Sequence, residues 1–315
     1  MTRRIAALIA VLAVVAALAP LLAPYDPEAQ HREFLFAPPM RPHLIADRSV
    51  QAPFVYPIVL ADRLSQRYAE DRTRTASLPW FGVDDAEPVF LLGADSFGRD
   101  LLSRLLYGSR LSIALALTSV IGSIVLGCLI GGLAGYRGGW IDDAVMRAAD
   151  FVLILPVIYV ALLLRAVMPL VLPPATVFLS MTAIFALLGW PFVAKGVRNI
   201  IAAEREREYI AAARSLGASG PHLLARHLLP ACGGFLLAQA CLLLPAFILA
   251  EATLSYVGIG FPEHLPTWGT MLIEAANVTA MTRFPWTLAP AVAIFLVVLS
   301  ANVILRSAKR IRRPI

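Results

Sequence analysis

Lysine is almost missing from this chain of 315 residues. The two present, Lys195 and Lys309, each follow an alanine. No Gly-Lys-Ser/Thr phosphate cradle can form, which excludes a nucleotide-hydrolysing P-loop. Cysteine is as sparse: Cys128, Cys232 and Cys241 all lie in apolar runs, so neither a disulfide framework nor a cysteine metal site is encoded. Charge is thin, at 15% of residues, and the ionisable groups in apolar stretches stand apart from one another. An enzyme working inside a membrane would need acids, bases or metal ligands gathered at one depth, and that pattern is absent. His222 and His227 have no further ligand at a metal-binding spacing and read as shaping or solvating a surface.

What the chain has in abundance is apolar surface. With 59% hydrophobic residues and a mean hydropathy of +0.74, it carries more than a soluble core of this size could hide. A span needs about 20 apolar residues, and six candidates are present: 5–24, 110–136, 148–169, 173–197, 232–260 and 285–305. The expected fold is therefore an all-α membrane protein of six transmembrane helices. Pro156 and Pro191 are expected to kink their helices, and Arg165 to snorkel from the end of its span to the interface. Arg3-Arg4, an apolar run and Ala17-Leu18-Ala19 also fit a signal peptide, but the run continues to Pro24, long enough for an uncleaved anchor.

Basic residues set the orientation. Arg3 and Arg4, Arg137 and Arg147, the group from Lys195 to Arg226, and Arg306 to Arg313 all fall on one side if six helices alternate. That side is read as the cytoplasm, with both termini there, and the net charge of +6 follows from topology with no need of nucleic acid. The organisation read from this pattern is an anchor at 1–24, an external segment at 25–109 ending in an interfacial helix, a five-helix core at 110–305 with a cytoplasmic loop at 204–230, and a basic tail at 306–315. Prolines punctuate 25–92, which reads as extended loops and short strands. Phe54-Val55-Tyr56 and Pro79-Trp80-Phe81 there read as packing clusters or as contacts for an external partner.

Residues 204–230 form a charged, helix-prone island between apolar runs: Glu-Arg-Glu-Arg-Glu-Tyr-Ile-Ala-Ala-Ala-Arg-Ser-Leu-Gly, then Ala-Ser-Gly-Pro-His and on to Leu229-Pro230. Gly217, Ser219, Gly220 and Pro221 should end one helix and restart another at an angle, making a knob. This stretch resembles the EAA loop of ABC-importer permeases. Aligning its glycine on Gly217 puts Ala212, Ala213, Leu229 and Pro230 on the family's Ala, Ala, Leu and Pro. Ala211 stands where the family often has Glu and His227 where it has Ile, while Glu208 supplies a nearby carboxylate. The resemblance implies that Glu208, Tyr209, Ala212, Ala213, Arg214, Gly217, Leu229 and Pro230 dock a partner ATPase.

A second block, Leu92-Gly93-Ala94-Asp95-Ser96-Phe97-Gly98-Arg99-Asp100 through Tyr107-Gly108-Ser109-Arg110, is similar to an element of the dipeptide/oligopeptide/nickel permeases, in particular their C-type subunit. Asp95 or Ser96 is expected to cap its helix. Gly131 to Asp142, Glu251 to Gly260, Pro266 to Leu272, and Trp286 with Leu288-Ala289-Pro290 match the same family in order. Asn302 to Arg306 lacks the Gly-Asp-Gly-Leu-Arg-Asp ending. Gly131, Gly132 and Gly135 read as a helix-contact patch. Asp150 reads as a cap or as paired with Arg147.

The resemblance implies a type I ABC-importer permease in the bacterial inner membrane: half of a pore completed by a B-type permease, driven by two ABC ATPases that hold ATP and Mg, and supplied by an extracytoplasmic solute-binding protein. The chain itself would bind no cofactor or metal and catalyse nothing. Di- or oligopeptides are the expected solute, with nickel complexes or other small solutes as the alternative and an ion-gradient-driven secondary transporter as a remote one. Glu251, Ser255 and Trp268 are the candidates for the substrate pathway, Glu251 because a carboxylate in an apolar run is costly. The competing reading has Glu251 bonded to Ser255 one turn on.

Overall fold

The computed structural model describes residues 14, 16–46, 49–63, 66–78, 88–169 and 172–310. Most of the expected first span, Arg3, Arg4, and the Trp80-Phe81 cluster lie outside them. The helices from Leu101 onward are α1 (Leu101–Arg137), α2 (Gly139–Ile154), α3 (Val157–Ala166), α4 (Pro174–Arg205), α5 (Glu208–Ser215), α6 (Gly220–Leu223), α7 (Leu229–Ala231), α8 (Gly233–Tyr256), α9 (Trp268–Ala275), α10 (Val278–Arg283) and α11 (Ala289–Arg310). The chain divides into two compact units. A helical unit holds Ile113–Gly260 and the residues from Leu296, and a sheet-bearing unit holds the described residues up to Ser112 together with Phe261–Phe295.

Among the described residues four helical stretches are long and apolar enough to cross a membrane: α1, α4, α8 and Pro285–Ile304. A fifth is counted if α2 and α3 are one span, but they diverge by 86°. This corrects the expectation of a single kinked helix over 148–169. Pro156 cannot donate a backbone hydrogen bond, and it forces Leu155 into an extended conformation at φ −70°, ψ 135°. The helix therefore stops and restarts. Pro191 has no such effect: α4 passes through it unbroken for 32 residues.

In the helical unit, α1 lies close against α4 along a stripe of glycines. A Cβ on Gly127 would meet Val193, one on Gly131 the backbone of Ala194, and one on Gly135 the backbone of Arg198. The four-residue spacing puts all three on one helix face and lets backbones approach as only small residues allow. Gly127 joins the expected patch. Gly132 leaves it, facing the side chains of Ile201, Leu224 and Leu229 at ordinary contact distance. Between α4 and α8, Phe185 and Phe247 stack at 5.4 Å.

Arg165 does not snorkel. Its side chain is buried, Nη1 donates to the Pro169 carbonyl at 3.3 Å in the turn after α3, and Nε has no partner.

The sheet-bearing unit realises the expected short strands. β1 (His43–Ala46), β2 (Ser49–Val55) and β5 (Ala76–Ser77) form an antiparallel sheet in the order β1-β2-β5, and β3 (Ile58–Asp62) pairs with β4 (Arg67–Glu70). Ala37, Met40, Val55, Ile58, Val89 and Phe90 make a core around which Phe34 and Tyr68 pack. Phe54 and Val55 are buried, so that cluster is packing. On the far side of the sequence, Thr267 and Thr270 form a reciprocal capping box that starts α9.

Candidate coupling site

The island folds as the sequence proposes, into two helical pieces joined at a glycine. α5 ends in a Schellman turn. Gly217 adopts φ +87°, its N–H donates to the Arg214 carbonyl at 3.0 Å, and the Ala218 N–H donates to the Ala213 carbonyl at 3.1 Å. An added Cβ would meet no atom at Gly217, so its requirement is conformational. α6 then begins after Ser219 with Pro221 in its first turn, where the missing N–H costs nothing.

The second piece widens into a π-turn over Leu224–Leu228, where the Leu229 N–H reaches back to the Leu224 carbonyl. Pro230 accounts for this. It cannot donate to the carbonyl four residues back, and its ring would strike that carbonyl in a regular helix. Pro230 thus shapes the end of the knob, and sequence pattern alone did not reveal the π geometry.

Three side chains hold the knob together: Ile210, Leu223 and Leu228 are fully buried. Of the residues singled out from the sequence, Glu208, Tyr209, Ala212, Arg214, Gly217 and Pro230 are exposed, and Ala213 and Leu229 are half-buried. Leu216, which was not singled out, is 88% exposed, the most exposed large apolar side chain among the described residues. The available signal was its position: an apolar residue immediately before the αL glycine has left the packed face of its helix.

The surface charges are locally paired, Arg207 with Glu204 at 3.2 Å and Arg205 with Glu206 at 3.1 Å. Tyr209 donates its hydroxyl to Glu204 at 2.8 Å, and that carboxylate holds the phenol above its usual pKa. The rings of His222 and His227 meet edge-on at 6.1 Å. Among the described residues no group of metal-ligating side chains forms.

At the root of the knob, Arg205 donates to the Tyr136 carbonyl at 2.9 Å, and the Tyr136 ring lies where a side chain on Gly220 would go. Farther up α4, Arg198 grips Asp142 of α2 through both carboxylate oxygens, with Nε at 2.8 and 3.0 Å and Nη2 closing the fork. Asp150 pairs with Lys195. This corrects the expected pairing with Arg147: the close packing of α2 on α4 brings the lysine to it.

The substrate-pathway candidates fall in different units. Glu251 and Ser255 lie together in α8, both buried, with the Ser255 hydroxyl donating to Glu251 at 2.8 Å. Trp268 belongs to the sheet-bearing unit, and its N–H groups are used in packing: the backbone N–H goes to Ser112 Oγ at 3.1 Å and Nε1 to the Leu105 carbonyl at 3.2 Å.

The sheet-bearing unit also contains a charge cluster that the sequence did not announce. Asp95 accepts from Arg99 Nε at 2.6 Å and stands 3.5 Å from Arg104 Nε, while Arg99 also reaches Glu274 of α9 at 2.7 Å. Asp95, Arg99, Asp100 and Arg104 are all buried. The expected helix cap is corrected: Asp100, and neither Asp95 nor Ser96, accepts from the Ser103 N–H and hydroxyl, at 2.8 and 2.7 Å. Asp95 is instead consumed by the Phe97 and Arg99 N–H groups and by the arginines. Leu101–Leu106, expected to be an interfacial helix, continues without a break into α1. Burial pushes the Asp100 carboxyl up to about 6 and raises that of Glu274.

Residues 123–313, more than half of the chain, match the family described as binding-protein-dependent transport system inner membrane component. A Brucella ovis protein named provisionally as a peptide permease protein is 37% identical over 213 residues, 67% of this chain and 68% of that protein. The di/tripeptide transport system permease protein of Pseudomonas aeruginosa is 32% identical over 285 residues, 90% of this chain and 78% of that one. A solved structure of a methionine ABC transporter in inward-facing conformations is similar at 17% identity over 65% of this chain and 95% of that chain, with a TM-score of 0.46. The island, its glycine-stripe root and the apolar helices are thus parts of a chain that belongs to the family of inner membrane components of binding-protein-dependent transport systems.

Proposed function

We propose that this chain is the pore-forming half of an ATP-driven importer of di- or oligopeptides, and that it receives the force of ATP hydrolysis through residues 204–230. The observation that carries the reading is the knob itself. It is anchored from within by three buried side chains and presents exposed Leu216, Tyr209 and Ala212 around an αL glycine. An exposed leucine beside small residues is the kind of surface a groove on a partner can cover. Each of two ABC ATPases would hold ATP and Mg, a B-type permease would complete the pore, and an extracytoplasmic binding protein would deliver the solute. In the membrane the chain would place six helices, with residues 5–24 as the first, the bent pair α2–α3 as the third and both termini in the cytoplasm.

Peptides are favoured because the relatives named above carry peptide transport in their names; nickel complexes or other small solutes by the same mechanism are the second reading. The test is co-purification and uptake. The wild-type chain with its partner permease should capture the ATPases, and proteoliposomes should take up a tripeptide only when ATP and the binding protein are both supplied. Uptake driven by an ion gradient without ATPases would overturn the assignment.

A further inference from the structure

We infer that the Asp142–Arg198 ion pair is the transmission between the knob and the broken span, the element that makes movement of residues 204–230 move α2 and α3. The inference rests on the proposed docking role and adds the route by which force leaves the knob.

The argument starts from where α4 is held. Its last dozen residues run straight into the knob with only Glu206 and Arg207 between α4 and α5. On one face, α1 lies against its backbone at Ala194 and Arg198 through Gly131 and Gly135. On another, α2 is attached by two ion pairs, Asp142–Arg198 and Asp150–Lys195, eight residues apart on α2. A pair of attachments on one helix resists rotation as well as sliding, which a single contact cannot do.

The two pairs differ in kind. Lys195 and Asp150 are well exposed, with side chains 38% and 55% accessible, whereas the Asp142 side chain is 10% accessible and its carboxylate is held by a guanidinium fork. A fork bonded to both oxygens of a mostly buried carboxylate fixes direction, and a lone ammonium on a flexible stem does not. The short loop between α1 and α2 supports this: Gly138 and Gly139 both take positive φ, at +67° and +63°, so α2 starts directly after α1 ends and Asp142 sits in its first turn. Beyond Asp150, α2 leads within a few residues to a hinge, because the chain breaks at Leu155-Pro156 and turns by 86° into α3. A rigid attachment at one end and a hinge at the other is the arrangement of a lever, with Asp142 as the point where it is driven.

Arg198 and Asp142 are therefore positioning residues, and the experiment must separate coupling from assembly. In the complete complex in proteoliposomes, Asp142→Asn should leave ATPase capture and binding-protein-stimulated ATP hydrolysis in place while peptide imported per ATP hydrolysed falls about tenfold, the scale of a typical coupling free energy. The exchanged pair Asp142→Arg with Arg198→Asp should recover a substantial part of that ratio, whereas Lys195→Gln should lower it by less than Asp142→Asn does. Full coupling in Asp142→Asn would overturn the inference, and so would an exchanged pair that assembles yet stays as uncoupled as the single variant. Failure of the wild-type chain to capture ATPases would instead overturn the docking reading.

Discussion

Charged residues have opposite fates in the knob and in the cluster around Asp95. In the knob, Glu204, Arg205, Glu206 and Arg207 pair along the surface, and only three apolar side chains are fully buried beneath them. In the sheet-bearing unit, Asp95, Arg99 and Arg104 are buried and Glu274 is mostly covered, linked in one network, while buried Asp100 beside them is held by Ser103. Water screens the first set, which costs little to rearrange. The second set sits in a poor dielectric, where each ion relies on its neighbours. The proposed docking surface and the buried cluster are thus built from the same residue types, distinguished by burial.

The sharpest way to break the comparison is to remove a charge from each region. Asp95→Ala strands Arg104 and leaves Arg99 with Glu274 alone, and the loss of one member of such a buried network costs about 3–5 kcal/mol. Thermal unfolding of the purified chain in detergent should show a strongly destabilised sheet-bearing unit, with proteolysis appearing first within 25–109. Glu206→Ala in the knob should leave the unfolding curve within about 0.5 kcal/mol of wild type. Equal effects would mean that burial does not govern these charges.

Next in size is the glycine that bends the knob. Proline at Gly217 cannot adopt φ +87° and removes the N–H that closes the Schellman turn, a backbone conflict worth about 3 kcal/mol confined to a few exposed residues. Gly217→Pro should abolish peptide uptake and ATPase co-purification while the permease stays in the membrane at normal abundance. Ala213→Arg should do the same by bulk. Retained capture in both would show that the partner grips another surface.

The knob was legible because its cues are local. A glycine, a serine, a second glycine and a proline act on the backbone within a few residues, and the Schellman turn at Gly217 needs nothing from elsewhere in the chain. The cluster around Asp95 was not legible, since Arg99 meets Glu274 across 175 positions of sequence and nothing at either end announces the other. Asp150 was misplaced for the same reason, since Lys195 lies 45 positions away, whereas Arg165 was misplaced because the backbone turn that returns the Pro169 carbonyl to it carries no mark in the sequence. Pro156 was recognised as a disturbance, but periodicity could not say whether the helix would bend or break. Pro191, identical in kind, leaves its helix whole.

A gentler probe of the buried cluster is pH. The Asp100 carboxyl titrates at about 6 in the folded unit against an ordinary value of 3.8. Between those values the folded state holds a proton that the unfolded state does not, so acidification from neutrality stabilises the unit, and the gain is complete below the unfolded value. Burial raises Glu274 in the same sense. The shift of about two units at Asp100 corresponds to roughly 3 kcal/mol. Asp100→Asn, whose amide oxygen can still accept from Ser103, should be more stable than wild type at neutral pH and should lose most of the difference near pH 4. A parallel pair of stability profiles would show that Asp100 carries no such penalty.

The smallest effect expected returns to the knob and asks what Tyr209 offers a partner. The residue is 45% exposed while its hydroxyl is spent on Glu204. If the ring makes the contact, Tyr209→Phe keeps the apolar face and loses only a solvent-exposed hydrogen bond, so the concentration of ATPase needed for half-maximal capture should change by no more than about twofold. Tyr209→Ala removes the face itself and should weaken capture clearly more. A Phe variant as weak as the Ala variant would assign the contact to the hydroxyl, and would mean that Glu204 releases it on docking. Local pairing in the knob would then be a reserve of polar groups for the partner, and the contrast with the fixed charges around Asp95 would sharpen further.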